Sequence, residues 1–250
     1  MSTIVDRYDA TAGAYPRWWA PVLAPTALSL LDLVGPALDA TTARARAGTG
    51  RPERSGAGHL VDIGTGAGIL AIAAARRWPG IAVTGVDASN GMLEVARDEA
   101  NRALGRAEAG RISFVPGVAE RMPLPDGAAD AAVSSFVYQL VPDRGRALRE
   151  AFRVLRPGGT LAYVTWQAGA GQQFAPDDAF SDALGDAGIP DTEAAEEPRS
   201  SDIASPAAAA AQARRAGLRG VTARTEWLEH RYDPATYLEF LERYAERATF

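Results

Sequence analysis

The sequence predicts an α/β fold: a doubly wound, mostly parallel sheet with an N-terminal helical arm and a lid insertion after the fifth strand. Three observations predict it. Short β-branched runs alternate with helical periods between residues 59 and 165, a glycine-rich turn ends the first run, and an acid ends the second.

The organising unit is His59 to Ala88. Leu60, Val61 and Ile63 make a short apolar run suited to a strand buried on both faces. It ends in Asp62-Ile63-Gly64-Thr65-Gly66-Ala67-Gly68, where alternate glycines let the backbone turn through positive φ and approach a small molecule. Ile69 to Trp78 follows with good helix formers, and Pro79-Gly80 stops it. Ile81 to Val86 reads as the second strand, with Asp87 at its end. Ligands of parallel α/β sheets bind outside the carboxyl ends of the strands, so the glycines and Asp87 face one crevice suited to a nucleoside.

The remaining elements follow in order. Residues 1–34 form an arm carrying Tyr8, Tyr15, Trp18 and Trp19, with a helix from about Pro25 to Val34; these aromatics either cover an edge of the core or close over a ligand. Residues 35–58 lack an apolar period and read as a basic, flexible connector, and residues 59–166 form the core. Ser89 caps a helix from Asn90 to about Leu104, and Ile112 to Val115 is the third strand. A proline-fixed loop over residues 117–126 leads to the fourth strand, Asp130 to Ser135. Asp143 caps a helix through Leu155 with Ala147, Leu148, Ala151, Phe152 and Leu155 inward, and Arg156-Pro157-Gly158-Gly159 turns it into the fifth strand, Thr160 to Thr165. Residues 167–206 read as a lid or insertion. Residues 207–250 complete the domain with a helix from Ala207 to Ala216, a strand from Val221 to Trp227, and a helix from Pro234 to about Ala248 whose inner face is Tyr237, Leu238, Leu241, Tyr244 and Ala245.

Composition narrows the function. A formal net charge of −5 argues against a broad nucleic-acid-binding surface. No apolar run approaches the roughly 20 residues that span a bilayer, and the acidic and basic residues Asp6, Arg7 and Asp9 stand where a signal peptide would be apolar, so a cytoplasmic protein is expected, without membrane association. With no cysteine and only His59 and His230, no metal site is expected.

The glycine spacing separates two nucleotide-binding classes. A dinucleotide fingerprint has G-x-G-x-x-G, whereas here Gly64, Gly66 and Gly68 alternate and position 69 is isoleucine. Asp62 would repel a pyrophosphate and suits a ligand with an amino group. On these residues the chain resembles the class I S-adenosylmethionine-dependent methyltransferases, in their small-molecule branch that includes the quinone-biosynthesis C-methyltransferases. The resemblance implies a Rossmann-like methyltransferase fold, S-adenosyl-L-methionine as cofactor and a small-molecule methyl acceptor. It implies that Asp62, Gly64, Thr65, Gly66 and Gly68 hold the methionine end, that Asp87 takes both ribose hydroxyls, and that Ala88 and Met92 line the adenosine. Val118, Ala119 and Glu120 correspond to the loop that contacts adenine; valine replaces the commoner acid at 118, so that contact falls to backbone groups or to Glu120. Ser135 and Phe136 floor the sulfonium site. The chain departs from the family after Trp227, where a helix stands in place of a final strand.

Transfer from a sulfonium needs alignment and exclusion of water more than a fixed catalytic motif. Where the acceptor must lose a proton, His230, Glu120, Tyr138 and Tyr15 are the candidate bases. Two other readings stay open: a non-catalytic cofactor-binding or partner-binding module, and a nicotinamide-dependent reductase. The tyrosine-lysine pair of such reductases is impossible here, because the chain contains no lysine. Acceptor identity and oligomeric state are not legible.

Overall fold

A computed structural model describes residues 4–46, 58–169, 185–186 and 201–241. The N-terminal arm comprises α1 (Ile4–Thr11), α2 (Tyr15–Trp18) and α3 (Ala20–Arg46). The core runs β1 (His59–Ile63), α4 (Ile69–Arg77), β2 (Ala82–Asp87), α5 (Asn90–Ala103), α6 (Arg106–Ala109), β3 (Ile112–Pro116), β4 (Ala129–Ser135), α7 (Arg144–Val154) and β5 (Leu155–Val164). Two further helices follow, α8 (Pro206–Arg215) and α9 (Pro234–Phe240).

The five strands are parallel in the order β3-β2-β1-β4-β5. The order reverses at β1, which pairs with β2 on one side and β4 on the other, and so opens a crevice at their carboxyl ends. Successive strand residues serve opposite faces. Leu60, Val83, Ala131 and Val133 pack with Leu31, Val34 and Leu38 of α3 and Leu70 and Ala74 of α4. Val61, Ile63, Val86 and Ala132 pack with Ala147, Leu148, Ala151 and Val154 of α7. Burial on both sides explains why β1 reads as a continuous apolar run.

Tertiary packing overrides the sequence signals in four places. The arm helix runs to Arg46, well past the Val34 expected, and so takes up the first part of the predicted connector; residues 47–57 lie outside the described residues. Leu31, Val34 and Leu38 carry one buried face across Gly35 and Pro36, and Asp39 accepts a 2.9 Å hydrogen bond from Trp78 Nε1. Within α3, Ala20–Ala43 is long and apolar enough to cross a membrane, contrary to the composition reading, yet its apolar face is occupied by the sheet and α4.

The second difference is Phe152, which is 49% exposed instead of facing inward; Val154 fills the core, and the Phe152 ring lies against Gly217 beyond α8. Third, Val221 to Trp227 is not a strand, and Trp227 is 73% exposed. Alternation alone is insufficient, since a strand needs a hydrogen-bonding neighbour and, among the described residues, the sheet ends at β5. Fourth, α9 buries Phe240 and Leu241, while Leu238 is 57% exposed. Tyr244 and Ala245 lie outside the described residues, as do residues 170–184 and 187–200 of the expected lid. The two ends of that segment meet in a parallel bridge between Gln167 and Ile203.

Candidate nucleoside site

The turn after β1 is built by close approach. Gly64 has φ 69°, and a Cβ there would fall 2.2 Å from Val137 Cγ2, so no side chain fits while the β4 exit loop holds its place. Gly66, at φ 53°, faces open space, and its N–H donates to Asp87 Oδ2 at 2.8 Å. With Gly64 N and Thr65 N donating to Val86 O at 2.8 and 2.9 Å, three hydrogen bonds therefore join the tips of two neighbouring strands.

Asp87 ends β2, half-buried, with its other oxygen accepting from Ser89 N at 2.9 Å. Burial raises its pKa, opposed by the Ser89, Gly66 and Ala88 amides, while the charge of Asp9 adds to the rise. Each carboxylate oxygen keeps acceptor capacity for a hydroxyl. Ser89 Oγ caps α5 by accepting from Met92 N at 3.0 Å. Ala88 is half-buried, whereas Met92, at 1% exposure, packs beneath the site and does not line it.

Asp62 is sealed. At 1% exposure its Oδ2 accepts from Thr65 Oγ1 at 2.7 Å, and burial pushes its carboxyl up to about 7, against hydrogen bonds from Thr65 and the Ala71 amide and with a further rise from Asp87. In this geometry Asp62 holds the glycine turn onto α4 and offers no surface to a ligand ammonium, in contrast to the sequence reading. Folding raises this carboxyl from 3.8 to about 7, so between those values the folded chain holds a proton that the unfolded chain has lost. Its contribution to stability therefore falls as pH rises from about 4 to 7 and stays lost above. Asp62→Asn is expected to raise the unfolding free energy at pH 8 by up to about 4 kcal/mol and to change it little at pH 4. Thermal unfolding at both pH values checks this, and a gain no larger at pH 8 than at pH 4 contradicts it.

At the tip of β3 lies a cleft of about 510 Å³, lined by Pro116, Gly117, Val118, Arg121, Met122 and Pro123. Val118 is 44% exposed and Ala119 is buried. Glu120 Oε1 accepts from Asp143 N at 3.3 Å and so turns toward the start of α7. At the tip of β4, Ser135 is half-buried and Phe136 adopts φ 55°, which costs a non-glycine residue on the order of 1–3 kcal/mol. Three contacts hold it there. Phe136 N donates to Val164 O at 2.9 Å, its carbonyl accepts from Gln139 Nε2 at 2.6 Å, and its ring meets Trp166 at 4.4 Å between centroids. Thr165 Oγ1 in turn fixes the Gln139 amide at 2.7 Å. Gln139 was expected from the sequence to help build the acceptor pocket, whereas Thr165 and Val137 were not singled out, because their roles depend on how the β4 and β5 exits meet.

The other candidate bases separate. Tyr138 is 0% exposed; its hydroxyl has no hydrogen-bond partner among the described residues, and burial holds its pKa above the usual tyrosine range, so it is not the base. Tyr138→Phe is expected to leave turnover intact and to stabilise the fold by about 1 kcal/mol, because it removes an unsatisfied buried hydroxyl; loss of turnover in a folded variant contradicts this. His230 is exposed and lines a separate cleft of about 260 Å³ with Arg17, Trp18 and Tyr232, which contains no residue of the glycine turn. Tyr15 packs its ring edge-on against Tyr8 at 6.3 Å, and burial raises the Tyr8 hydroxyl pKa against the charge of Arg7, with Asp87 adding to the rise.

Residues 61–163 match the methyltransferase domain family. The chain is 44% identical over 110 residues to the ubiquinone/menaquinone biosynthesis C-methyltransferase UbiE of Methylobacterium nodulans, covering 44% of this chain and 42% of that protein. It is 37% identical over 110 residues to a malonyl-acyl-carrier-protein O-methyltransferase of Geobacter sulfurreducens, covering 44% of this chain and 39% of that one. The chain thus spans less than half the length of these curated relatives. Among solved structures, a chain from the complex between the Haloferax volcanii Trm112 methyltransferase activator and a methyltransferase superposes with TM-score 0.52 at 21% identity, covering 96% of this chain and 92% of that chain. That likeness is one of fold.

Proposed function

We propose that the chain is a class I S-adenosylmethionine-dependent methyltransferase, on the match of residues 61–163 to the methyltransferase domain family, and that it transfers a methyl group from S-adenosyl-L-methionine to a small organic acceptor. The observation that carries the reading is the Gly66 N–H bond to Asp87, which fixes a carboxylate with free lone pairs beside a bare stretch of backbone. That arrangement fits the ribose hydroxyls of the donor, with the backbone from Gly64 to Gly68 along its methionine end. Asp62 and Thr65 hold the turn, Ala88 and the 116–119 loop flank the base, and Ser135 and Phe136 face the reacting carbon.

When bound, the donor supplies an activated methyl group. The protein's part is alignment and dryness. The Phe136 carbonyl clamp and the Trp166 ring fix the floor, and the half-buried rings of Tyr8 and Tyr15 exclude water from the ribose side. Aromatic walls suit a flat, apolar acceptor. The reading places the enzyme in the cytoplasm, in keeping with the packing of α3 into the core.

Calorimetry with S-adenosylmethionine, S-adenosylhomocysteine and NADH tests the donor. Binding of the first two and not the third is expected, and the reverse pattern overturns the reading. A second reading, a module that binds the donor without turnover, draws on Tyr138, Glu120 and His230 all lying away from the glycine turn. A panel of small organic acceptors separates the two, since turnover on any one of them excludes a binding module.

A further inference from the structure

The stretch that ends in Asp87 also seats the N-terminal arm. Asp9 of α1 lies across the first turn of α5, where its Oδ1 accepts from Gly91 N at 2.8 Å and from Ser89 Oγ. A carboxylate at this end of a helix meets unsatisfied amides and the positive end of the helix dipole. Gly91 is shaped to the contact: a Cβ there would stand 3.1 Å from Asp9 Oδ1 and 3.3 Å from Ala12 Cβ. The same seating ties α1 to Ser89, whose own N–H donates to Asp87 Oδ1 at 2.9 Å, and holds Tyr8, one residue before Asp9, against Tyr15. Residues 87–91 thus hold the carboxylate of the site and the seat of its cover within five positions.

We propose that α1 is a latch on the nucleoside site, in which Asp9 seated on Ser89 and Gly91 holds Tyr8 over Asp87, so that release of Asp9 sets the rate of ligand exchange. The inference rests on the donor-site reading above. Asp9 acts through Tyr8 and is a positioning residue. Ligand reaches and leaves Asp87 when α1 lifts as a unit, and a bound nucleoside adds to the weight of contacts that keep it down.

The test uses the full chain, with S-adenosylhomocysteine as the probe and its dissociation followed by stopped-flow fluorescence. Asp9→Ala, which removes the acceptor of both charge-assisted hydrogen bonds, and Gly91→Ala, whose Cβ crowds Asp9 and Ala12 out of the seat, are each expected to release the probe about tenfold faster. Asp9→Asn, which keeps an acceptor and loses the charge, is expected to fall between them and wild type. Gly91→Ala also guards against misfolding, since alanine is the better helix former and α5 should be no less stable. Hydrogen exchange in the ligand-free chain reads the seat alone, and the α1 amides are expected to exchange faster in both alanine variants. Wild-type dissociation rates in Asp9→Ala and Gly91→Ala overturn the latch and leave the donor site standing. Failure of wild type to bind the probe overturns the donor site and the latch with it.

Discussion

Asp87→Ala is expected to weaken binding of S-adenosylmethionine at least about a hundredfold. A carboxylate that accepts hydrogen bonds from two hydroxyls contributes about 1.5–3 kcal/mol for each, so their joint loss exceeds two powers of ten. The substitution also frees Gly66 N and Ser89 N, which now donate to the two oxygens at 2.8 and 2.9 Å, so the glycine turn is left tied to β2 only through Gly64 N and Thr65 N on Val86 O. The rise in the Asp87 pKa through burial gives the reverse side of the same balance, since a half-buried charge is held in place by amides alone. Calorimetry on a variant that unfolds within a few degrees of wild type checks the result; affinity within threefold of wild type would remove Asp87 from the site.

Gly64→Ala is expected to cost about 3 kcal/mol of stability and to abolish donor binding. Left-handed backbone costs an alanine about 1–2 kcal/mol, and the new Cβ overlaps Val137, whose Cγ2 would be 2.2 Å away. Overpacking of this kind costs about 1–3 kcal/mol more. The two terms separate in a double variant, because Val137→Ala relieves the overlap and leaves the backbone cost. Gly64→Ala/Val137→Ala should therefore recover part of the loss in chemical denaturation. No recovery would mean that the β4 exit loop does not press on the turn.

These two residues mark what the sequence discloses and what it hides. Gly64, Gly66, Gly68 and Asp87 were legible because strand, turn, helix and strand follow one another locally, and parallel topology then leaves one place for their tips to meet. The succession of strands and helices along the chain followed from the same alternation. The extent of α3 was hidden, since Gly35 and Pro36 signal a break that the sheet overrides through Leu38. The role of Asp62 was hidden for a different reason. An acid beside a glycine turn suggests ligand contact, and only the packing of Thr65 and α4 around it shows a carboxyl closed off from solvent. Tyr138 misled in the same way, as a tyrosine in an exit loop that turns into the core. Asp9 and Gly91 carried no signal at all, because 82 residues separate partners that meet only when the arm folds back. Val221 to Trp227 alternates as an edge strand would, and among the described residues the sheet provides no neighbour for it.

A structure of the chain with S-adenosylhomocysteine bound tests the account at its centre. The account predicts both ribose hydroxyls on the two oxygens of Asp87, with Gly66 against the ligand and Tyr8 closed over it. A ligand bound elsewhere, or one whose ribose leaves Asp87 untouched, would contradict it.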